Sequence, residues 1–597
     1  RSSDLGCRMV MMTEDGFTLD KKDFLLSLLT TIVSSSWVFV STASFALVIN
    51  EMSSFITTGY LNHTKLNQAV GLLVVSSFLP TVSDFLDQYI GSKLFRRINL
   101  FFRNKWIKKI SSLDLATIEN KKFHDLNQKI NDRSIGSLQS LSSWFFVNFG
   151  NFIRLITASV IFLTFDFRLV ILAIVAILPA FFIERNLAKQ TFELWDKQVE
   201  NRKSVNWKTS HFLNVKKLTE LKLIGKTAFY SDKIYNFQKK FNDDSDKLEY
   251  RTFKLKFLGE IVFIVCFVLS MFLIIQLVIT GKIGVGTMLF VYSSFNAFSL
   301  SASNILRSLG RIREHIKFSE GYFDLLKLEP VINEEGGDSF NYKEAEDIKF
   351  NNVNFVYPET DVVVLKNINL EIKKYERIAI VGENGASKTT LTKLISKMYL
   401  PTSGEILIGD KNIKDIKTLD WQKSLSVMTQ DYVTYSDTIG EQIAYGSNEQ
   451  PDKVSRAKIK ESARRAHALE FIEKLPKKFD NIPERAFTDG VELSRGQNQK
   501  IALARFLLRD SKVLILDEPT SAIDAIAESK IFNELFEEER NRTIIIISHR
   551  FNTVKRADRI IVLEHGEIVE EGTHEELIKN NGKYHEMYMA QAKEYQE

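Results

Sequence analysis

Residues 377–390 read RIAIVGENGASKTT, a short β-branched run followed by a glycine-containing turn, a lysine and two threonines. A helical pattern opens directly afterwards, at Leu391. A loop of the form GxxxxGK[ST] between a strand and a helix presents backbone N–H groups that bind phosphate. A chance glycine turn does not account for strand, loop and helix in this order. The stretch therefore predicts a phosphate-binding loop between a strand and a helix.

Two side chains of this loop carry specific chemistry, and one position departs from the motif. We expect Lys388 to reach the β- and γ-phosphate oxygens and Thr389 to hold Mg²⁺. Ser387 stands where the motif has glycine, so we expect a restricted backbone and reduced nucleotide affinity. The predicted nucleotide-contacting residues of the loop are Gly382, Glu383, Asn384, Gly385, Ala386, Ser387, Lys388, Thr389 and Thr390.

A second chemical motif follows about 130 residues later. The apolar run Val513–Leu516 ends in the acidic pair Asp517 and Glu518. We expect Asp517 to hold Mg²⁺ through water and Glu518 to act as the general base that polarises the attacking water. An apolar strand that ends in two acids is weak evidence alone, so this assignment depends on the phosphate-binding loop.

The segment Leu493-Ser-Arg-Gly-Gln497, just before the helical stretch Asn498–Arg509, resembles the LSGGQ signature of ABC ATPases. Arg495 replaces the first signature glycine, so we expect atypical turnover. The resemblance implies a nucleotide-contacting role for Ser494, Gly496 and Gln497. It further implies that Tyr357 stacks on adenine, that Gln430 takes part in metal binding and catalysis, and that His549 contacts the γ-phosphate. Ser521–Asp524 matches a further element of the family pattern. A lone histidine after an apolar strand is more often structural, so the role of His549 rests on its spacing.

The surrounding residues predict an α/β domain. From about Ile348, short β-branched runs alternate with helical stretches, which is typical of a sheet with helices on its faces. The predicted strands include Ile378–Val381, Val513–Leu516, Thr543–Ile547 and Arg559–Leu563. We assign residues 348–597 to a nucleotide-binding domain of P-loop type and residues 329–347, with the acidic segment Glu329–Asp338, to a linker.

Residues 21–328 differ in composition, with six long apolar stretches, and predict an all-α transmembrane domain with six helices. Each apolar stretch is long enough for a membrane-crossing helix, which needs about 20 residues. The predicted spans are Phe24–Ile49, Leu66–Tyr89, Ser143–Phe165, Leu169–Arg185, Phe257–Thr280 and Thr287–Leu306. Residues 1–20 are treated as an N-terminal segment, for which a cloning remnant is one interpretation, and are left out of the fold prediction.

Basic residues orient these spans. Lysines and arginines cluster after the second span, at residues 93–109, and between the fourth and fifth, at Asn186–Lys256, and such clusters stay on the cytoplasmic side. The N-terminus and the ATPase domain are then cytoplasmic. Low proline with abundant Lys, Asn, Ile and Phe fits an AT-rich bacterial genome, so we expect a multi-pass protein of the bacterial plasma membrane.

Membrane spans that precede an ATPase domain on one chain resemble the arrangement of ABC exporters. This resemblance implies ATP hydrolysis coupled to outward transport. It implies ATP and Mg²⁺ as cofactors and a homodimer with two composite ATP sites, surrounded by membrane lipid. Segments Ser112–Ile130 and Leu223–Phe237 fall where exporters have the helices that couple the two domains.

The cargo is predicted from a weaker resemblance. Runs at residues 112–123, 430–435 and 492–505 resemble bacterial lantibiotic and bacteriocin exporters, which implies export of a peptide, modified or not, such as a bacteriocin or lantibiotic. No protease domain fits in the roughly twenty residues before the first span. The alternatives left open are a lipid flippase, a multidrug exporter, a non-transporting ATP-gated regulator or immunity protein, and a heterodimer with a sister subunit.

Charged residues in the spans bear on the same question. Arg154 lies near the middle of the third span, and an intramembrane charge is a candidate functional residue, although a structural salt bridge is an equal alternative. Asp84, Asp87, Glu184 and Glu260 lie towards the cytoplasmic ends, where an acidic vestibule could receive a cationic peptide, although interfacial solvation is the simpler interpretation.

Composition excludes several other classes. The chain has 79 basic and 74 acidic residues, and the net charge of +5 is too small to predict a nucleic-acid partner. The two cysteines, Cys7 and Cys266, cannot build a disulfide framework or a cysteine metal site.

Overall fold

The computed structural model describes residues 21–197, 199–341, 343–519 and 525–594. The chain forms two compact units. The first runs to Ser111 and resumes from Lys122 to Leu328, and the second combines Ser112–Lys121 with Glu329 onwards. The N-terminal segment 1–20 and the predicted loop Ser521–Asp524 lie outside the described residues.

The first unit is helical. Its apolar side chains can face lipid or one another, while each helix satisfies its own backbone N–H and C=O groups. The helices of this part of the chain are α1 (Lys21–Thr58), α2 (His63–Ser111), α3 (Leu115–Glu119), α4 (Lys121–Lys129), a π-helical turn (Ile130–Ser134), α5 (Ile135–Phe165), α6 (Phe167–Lys197), α7 (Val199–Leu213), α8 (Val215–Leu223), α9 (Thr227–Ile279) and α10 (Val285–Leu326). Of these, α3 packs in the second unit.

Five helices are long and apolar enough to cross a membrane: α1, α2, α5, α9 and, as far as Thr191, α6. The sixth predicted span, Thr287–Leu306, lies in α10, which is not among them when the described residues are searched. Serines and asparagines such as Ser293, Asn296 and Asn304 lower its hydropathy. The helices α2 and α9, of 49 and 53 residues, extend well beyond their apolar stretches.

The second unit contains two sheets with helices between and beside their strands. Its elements are β1 (Ile348–Val356), β2 (Val363–Ile372), β3 (Arg377–Val381), α11 (Lys388–Ile395), β4 (Ser403–Ile408), β5 (Lys411–Asn412), α12 (Thr418–Lys423), β6 (Leu425–Met428), α13 (Ile439–Ala444), α14 (Arg456–Arg465), α15 (Leu469–Glu473), α16 (Arg495–Leu508), β7 (Val513–Asp517), α17 (Ala525–Glu538), β8 (Thr543–Ile547), α18 (Phe551–Val554), β9 (Arg559–Glu564), β10 (Glu567–Gly572), α19 (His574–Lys579) and α20 (Lys583–Glu594).

The larger sheet has the order β10-β9-β3-β8-β7-β6, and its five strands from β9 to β6 are parallel. Strands β7 and β8 are buried at every residue, which explains their uninterrupted apolar sequences. The smaller sheet, β2-β1-β4-β5, is antiparallel. The four strands predicted from sequence are confirmed within one residue at each end.

The predicted linker is packed on the second unit over part of its length. The N–H of Asp338 donates to the carbonyl of Asp415 at 2.6 Å, and the N–H of Lys417 donates to the carbonyl of Asp338 at 2.8 Å. The N–H of Val331 donates to Asp114 Oδ1 at 2.9 Å. These backbone bonds join residues far apart in sequence, which local composition cannot reveal.

The first predicted coupling segment also belongs to the second unit through its residues Ser112–Lys121. Asp114 caps α3 by accepting from the N–H of Thr117, and Ala116 is part of the core that contains β1 to β4. The carboxylate of Glu119 accepts a hydrogen bond from the hydroxyl of Tyr399. A short segment between α2 and α4 is therefore anchored in the second unit by its cap, its apolar face and one buried hydroxyl.

Candidate nucleotide site

The carboxyl ends of four neighbouring parallel strands carry the predicted chemistry. The phosphate-binding loop follows β3, Gln430 follows β6, Glu518 follows β7 and His549 follows β8. Parallel strands end at the same edge of a sheet, and ligands of such sheets bind at that edge. The topology therefore assembles residues separated by more than 160 positions.

The phosphate-binding loop is closed by its own lysine. Lys388 Nζ donates to the carbonyl oxygens of Gly382 and Glu383 at 2.8 and 2.9 Å. Burial lowers the pKa of Lys388, while the charges of Glu518 and Asp517 oppose that shift. The ammonium is thus held at the mouth of the loop, close to two carboxylates and ready to exchange its carbonyl partners for phosphate oxygens.

Ser387 shows why the motif has glycine at this position. Its backbone φ is 74°, in the left-handed region, and it is the residue from which α11 begins. A side chain in this region costs about 1–2 kcal/mol because Cβ crowds the carbonyl oxygen. The predicted backbone restriction is therefore located in one torsion angle.

Thr389 and Asp517 form the predicted metal pair. The Thr389 hydroxyl donates to Asp517 Oδ2 at 2.9 Å. Burial raises the pKa of Asp517, and the hydrogen bond from Thr389 acts in the opposite direction. The structure thus brings a hydroxyl and a carboxylate together at the first turn of α11.

Glu518 is held from two sides by the other predicted catalytic residues. Gln430 Nε2 donates to Glu518 Oε2 at 3.0 Å, and His549 Nε2 lies 2.9 Å from Glu518 Oε1. Burial, followed by the charge of Lys388, lowers the pKa of His549 and favours the neutral imidazole. Glu518 has a φ of 49°, and its N–H donates to the carbonyl of Ile547 at 2.9 Å. Such strained backbone is often found at functional sites.

These groups fit a nucleoside triphosphate with Mg²⁺. Hydroxyl and carboxylate oxygens are the ligands that Mg²⁺ prefers, and here Thr389 and Asp517 supply them. When bound, Mg²⁺ neutralises charge that develops on the β- and γ-phosphates. Lys388 would hold phosphate oxygens, and Glu518 would orient and polarise the attacking water with Gln430 and His549 fixing its carboxylate.

The signature segment forms the start of α16, which begins three residues earlier than predicted. Ser494 and Gln497 form a capping box: Gln497 N–H donates to Ser494 Oγ at 3.2 Å, and Ser494 N–H donates to Gln497 Oε1 at 2.9 Å. Arg495 is the first helical residue and is exposed, and Gly496 follows it in the same turn. The N-terminus of a fourteen-residue helix thus presents the predicted phosphate-facing residues.

Tyr357 lies at the end of β1 within a group of aromatic rings. Its hydroxyl is 3.0 Å from Thr390 Oγ1, and Lys393 Nζ lies 5.3 Å from its ring centre. The Tyr399 ring packs edge-on against it at 5.3 Å. Stacking on adenine stays a prediction.

Two residues that the sequence analysis did not single out complete the surroundings of the site. Lys583 on α20 makes ion pairs of 2.8 Å with Glu383 of the loop and with Glu564, which raise the pKa of the Lys583 ammonium. Tyr432, two residues after Gln430, donates its hydroxyl to the carbonyl of Arg495 at 2.8 Å. Its position beside Gln430 was the available signal, whereas nothing local marks Lys583.

The charged residues of the spans have different surroundings. Glu184 pairs with Lys256 at 2.8 Å. Arg154, Asp84 and Asp87 line one cavity together, so the cavity is of mixed charge and not an acidic vestibule. No ion pair joins Arg154 to another described residue, so the structural salt bridge considered for it is absent from this part of the chain.

The second predicted coupling segment, Leu223–Phe237, spans the end of α8 and the start of α9 in the first unit. Its apolar side chains are exposed there, with Leu223 at 82% and Phe229 at 64%. The coupling role of this segment stays a prediction.

Comparison with known proteins places the site in a recognised domain type. Residues 365–521 match the family model described as ABC transporter. The chain is 36% identical over 316 residues to the ATP-dependent lipid A-core flippase of Haemophilus influenzae, covering 53% of this chain and 52% of that protein. It is 42% identical over 244 residues to the protein of that name from Alkalilimnicola ehrlichii, covering 41% and 40%. The chain thus spans about half the length of these curated relatives.

The whole chain also has a solved structural counterpart. A structure described as a bacterial Atm1-family ABC exporter with ATP bound superposes with a TM-score of 0.80, at 23% identity, over 96% of this chain and 98% of that one. The predicted architecture, a helical domain fused to an ABC-type ATPase domain, is therefore confirmed. The chain has the fold of an ABC exporter half-transporter.

Proposed function

We propose that two copies of this chain use ATP hydrolysis to move a lipid-type amphiphile across the bacterial inner membrane. One observation carries the proposal: Glu518 is held by Gln430 and His549 at the sheet edge where Lys388 and the Thr389–Asp517 pair also lie. A hydrolytic site of this kind is on the same chain as five helices, counted over the described residues, that are able to cross a membrane.

The hydrolytic step follows from the geometry of these residues. Glu518 polarises the attacking water, and a carboxylate fixed by two hydrogen-bond partners loses little freedom when the water binds. Neutral His549, held against Glu518, would contact the γ-phosphate when ATP is bound. Lys388 screens the phosphates in a buried pocket, where one charge acts strongly.

We propose that the second copy completes each ATP site with its signature segment. Ser494 and Gly496 stand at the N-terminus of α16, where N–H groups and the helix dipole favour an anion. The exposed segment Leu223–Phe237 would then dock on the second unit of the other copy, and closure of the two ATPase domains would move the spans. The ATPase domains and the N-terminus are proposed to be cytoplasmic.

The comparisons favour a lipid cargo over the peptide predicted from sequence. The relatives above carry the name of a flippase, which was an alternative in the sequence analysis. Because Arg154 gives the cavity mixed charge, the cavity is not an acidic vestibule that would favour a cationic peptide.

The test is ATPase activity of the purified chain in lipid nanodiscs, compared with Glu518→Gln. We expect magnesium-dependent hydrolysis that falls at least a hundredfold in the variant, since general bases contribute about 10²–10⁴-fold. A matched control is Glu470→Gln, which removes an exposed carboxylate of α15 that pairs with Lys474 and is not part of the nucleotide site.

The same preparation separates the competing functions. Stimulation by phospholipids or lipid A-type amphiphiles supports the proposed cargo, and selective stimulation by a lantibiotic-type peptide overturns it. An inactive chain that binds ATP favours the non-transporting regulator. A mass of one copy in detergent, with activity restored by a second subunit, overturns the homodimer.

A further inference from the structure

A polar cavity of about 390 Å³ lies among α1, α2, α5 and α10 of the first unit. Its walls carry both signs of charge, with Asp84 and Asp87 from α2 and Arg154 from α5. Hydroxyl and amide groups surround them, from Ser27, Thr31, Ser34, Ser35, Asn151 and Asn304. A volume of this size is within the roughly 300–1,000 Å³ typical of small-molecule sites.

The charges in this cavity lack the partners that a purely structural role would require. Arg154 Nε is buried without a hydrogen-bond partner, and no carboxylate of the described residues pairs with the guanidinium. Among the same residues, no hydrogen bond or ion pair engages Asp84. Unpaired charges in a membrane-spanning region are costly and usually mark a function.

Asp87 is positioned as an acceptor. Its Oδ1 receives hydrogen bonds from the hydroxyls of Ser27 and Thr30, both at 3.0 Å. These two donors fix the carboxylate and leave Oδ2 for another donor. The arrangement keeps an anion in the cavity without neutralising it.

A second cavity of about 360 Å³ adjoins the first and is almost entirely apolar. The two share Leu94, Ser142 and Phe146 in their walls, so the charged lining and the aromatic lining meet at these three residues. Phenylalanines build the apolar part: Phe145 stacks on Phe149 at 6.3 Å, and Phe24 packs on Phe146 at 5.2 Å. Trp144 also lines it and lies beneath the guanidinium of Arg311 at 5.3 Å.

We propose that these joined cavities bind one amphiphile whose headgroup is zwitterionic, with an anionic phosphate on Arg154 and a primary amine facing Asp84 and Asp87. The acyl chain lies along the phenylalanines and Trp144. This inference rests on the proposed function and specifies its substrate class.

Charge complementarity excludes the simpler headgroups. An anionic headgroup without an amine would satisfy Arg154 but would face two carboxylates. A cationic group alone would satisfy Asp84 and Asp87 but leave the guanidinium of Arg154 unpaired, with its Nε buried and without a hydrogen-bond partner. A headgroup with both charges pairs all three residues.

The experiment measures binding by quenching of Trp144 with brominated phospholipids, in detergent micelles and without nucleotide. The quenching measured in Trp144→Phe, which keeps an aromatic ring, is subtracted so that the signal of Trp144 is separated from that of the five other tryptophans. The probes are brominated phosphatidylethanolamine, which has a primary amine, and brominated phosphatidylglycerol, which has none. We expect half-saturation at roughly tenfold lower mole fraction for the first, the factor typical of a charge-assisted hydrogen bond.

Variants test which residues contact the phosphate and which contact the amine of the headgroup. Arg154→Gln should weaken the binding of both lipids by a similar factor. The double variant Asp84→Asn with Asp87→Asn should remove only the preference for the lipid with an amine. Glu260→Gln, an exposed carboxylate of α9 that does not line the cavity, is the matched control and should change neither.

Two results would overturn the inference. Equal quenching by both lipids in the wild-type protein shows that the cavity does not recognise a headgroup, and tighter binding of phosphatidylglycerol shows that it prefers an anion. Because nucleotide is absent, this outcome is distinct from failure of the proposed function: an ATPase that transports lipid without headgroup preference keeps the function and loses this site.

Discussion

The phosphate-binding loop and the signature segment each replace a motif glycine, but the two replacements have different physical consequences. Ser387 has a left-handed φ of 74°, whereas Arg495 is the first residue of α16 and follows a cap in extended conformation. Backbone at Ser387 favours glycine, and backbone at Arg495 accepts any ordinary residue. What Arg495 changes is charge, since a cation at a helix N-terminus opposes the dipole. At position 387 the motif glycine matters for the backbone conformation. At position 495 it matters for the charge and size of the side chain at the helix N-terminus.

The largest difference between the two positions should appear with a β-branched side chain. Ser387→Val places two γ-carbons in the left-handed region and should lower ATP affinity at least about fivefold, since strained positions of this kind cost about 1–3 kcal/mol. Arg495→Val should leave the affinity for ATP within about twofold of wild type, because helical backbone accepts valine at a small cost. Titration of both variants with a fluorescent ATP analogue measures the contrast, and equal losses would show that the loop torsion does not control binding.

Removal of the cap should be the next largest effect, at the signature segment alone. Ser494→Ala deletes the hydroxyl that accepts from the Gln497 N–H and should lower the free energy of unfolding by about 1 kcal/mol, with loss of ATPase activity. Ser455→Ala, which removes the cap of α14, is the control: a similar loss of stability with activity retained. Loss of activity in both variants would mean that stability, and not the signature geometry, limits turnover.

A smaller and opposite effect is expected from restoring glycine to the loop. Ser387→Gly relieves the left-handed strain but adds freedom to the unfolded chain, so the net gain should be about 0.5–1 kcal/mol, seen as a higher Tm. Arg495→Gly should instead lower Tm slightly, since glycine weakens a helix. If Tm changed in the same direction in both variants, the two glycine positions would not differ in the way described.

The smallest expected effect concerns pH. Burial lowers the pKa of His549 below its ordinary value of 6.5, so the unfolded state binds more protons than the folded state just below that pH. Stability should therefore rise as pH increases towards 6.5 and level off above it. Tm of the wild-type chain, measured from pH 5 to 7.5, should rise more than that of His549→Gln. An identical pH dependence would show that His549 titrates normally.

Local sequence was sufficient for the parallel strands and the phosphate-binding loop, because buried β-branched runs and glycine turns are local signals. The start of α16 was predicted at Asn498 although the capping pattern of Ser494 and Gln497 was already readable. The backbone pairing of Asp338 with residues 415–417 could not be predicted, since it depends on tertiary contacts.

The membrane cavity likewise could be predicted only in part from the sequence. The hydroxyls of Ser27, Thr31, Ser34 and Ser35 recur at helical spacing, so sequence places them on one face of α1. Which charged residues that face meets depends on how α1, α2 and α5 pack, and the choice between substrate contact and salt bridge for Arg154 needed the structure. The cargo was predicted from short resemblances, and no physical argument connected those runs to a peptide.

ATP-driven lipid movement is tested most directly by transbilayer translocation in proteoliposomes. A fluorescent phosphatidylethanolamine placed in the leaflet on the ATPase side should become accessible to an impermeant quencher on the other side, only with ATP and Mg²⁺ and only with wild-type protein. Glu518→Gln should bind ATP and leave the lipid where it was. Movement at the same rate without ATP or in Glu518→Gln, or ATP hydrolysis with no lipid movement, would contradict ATP-driven lipid transport by this chain.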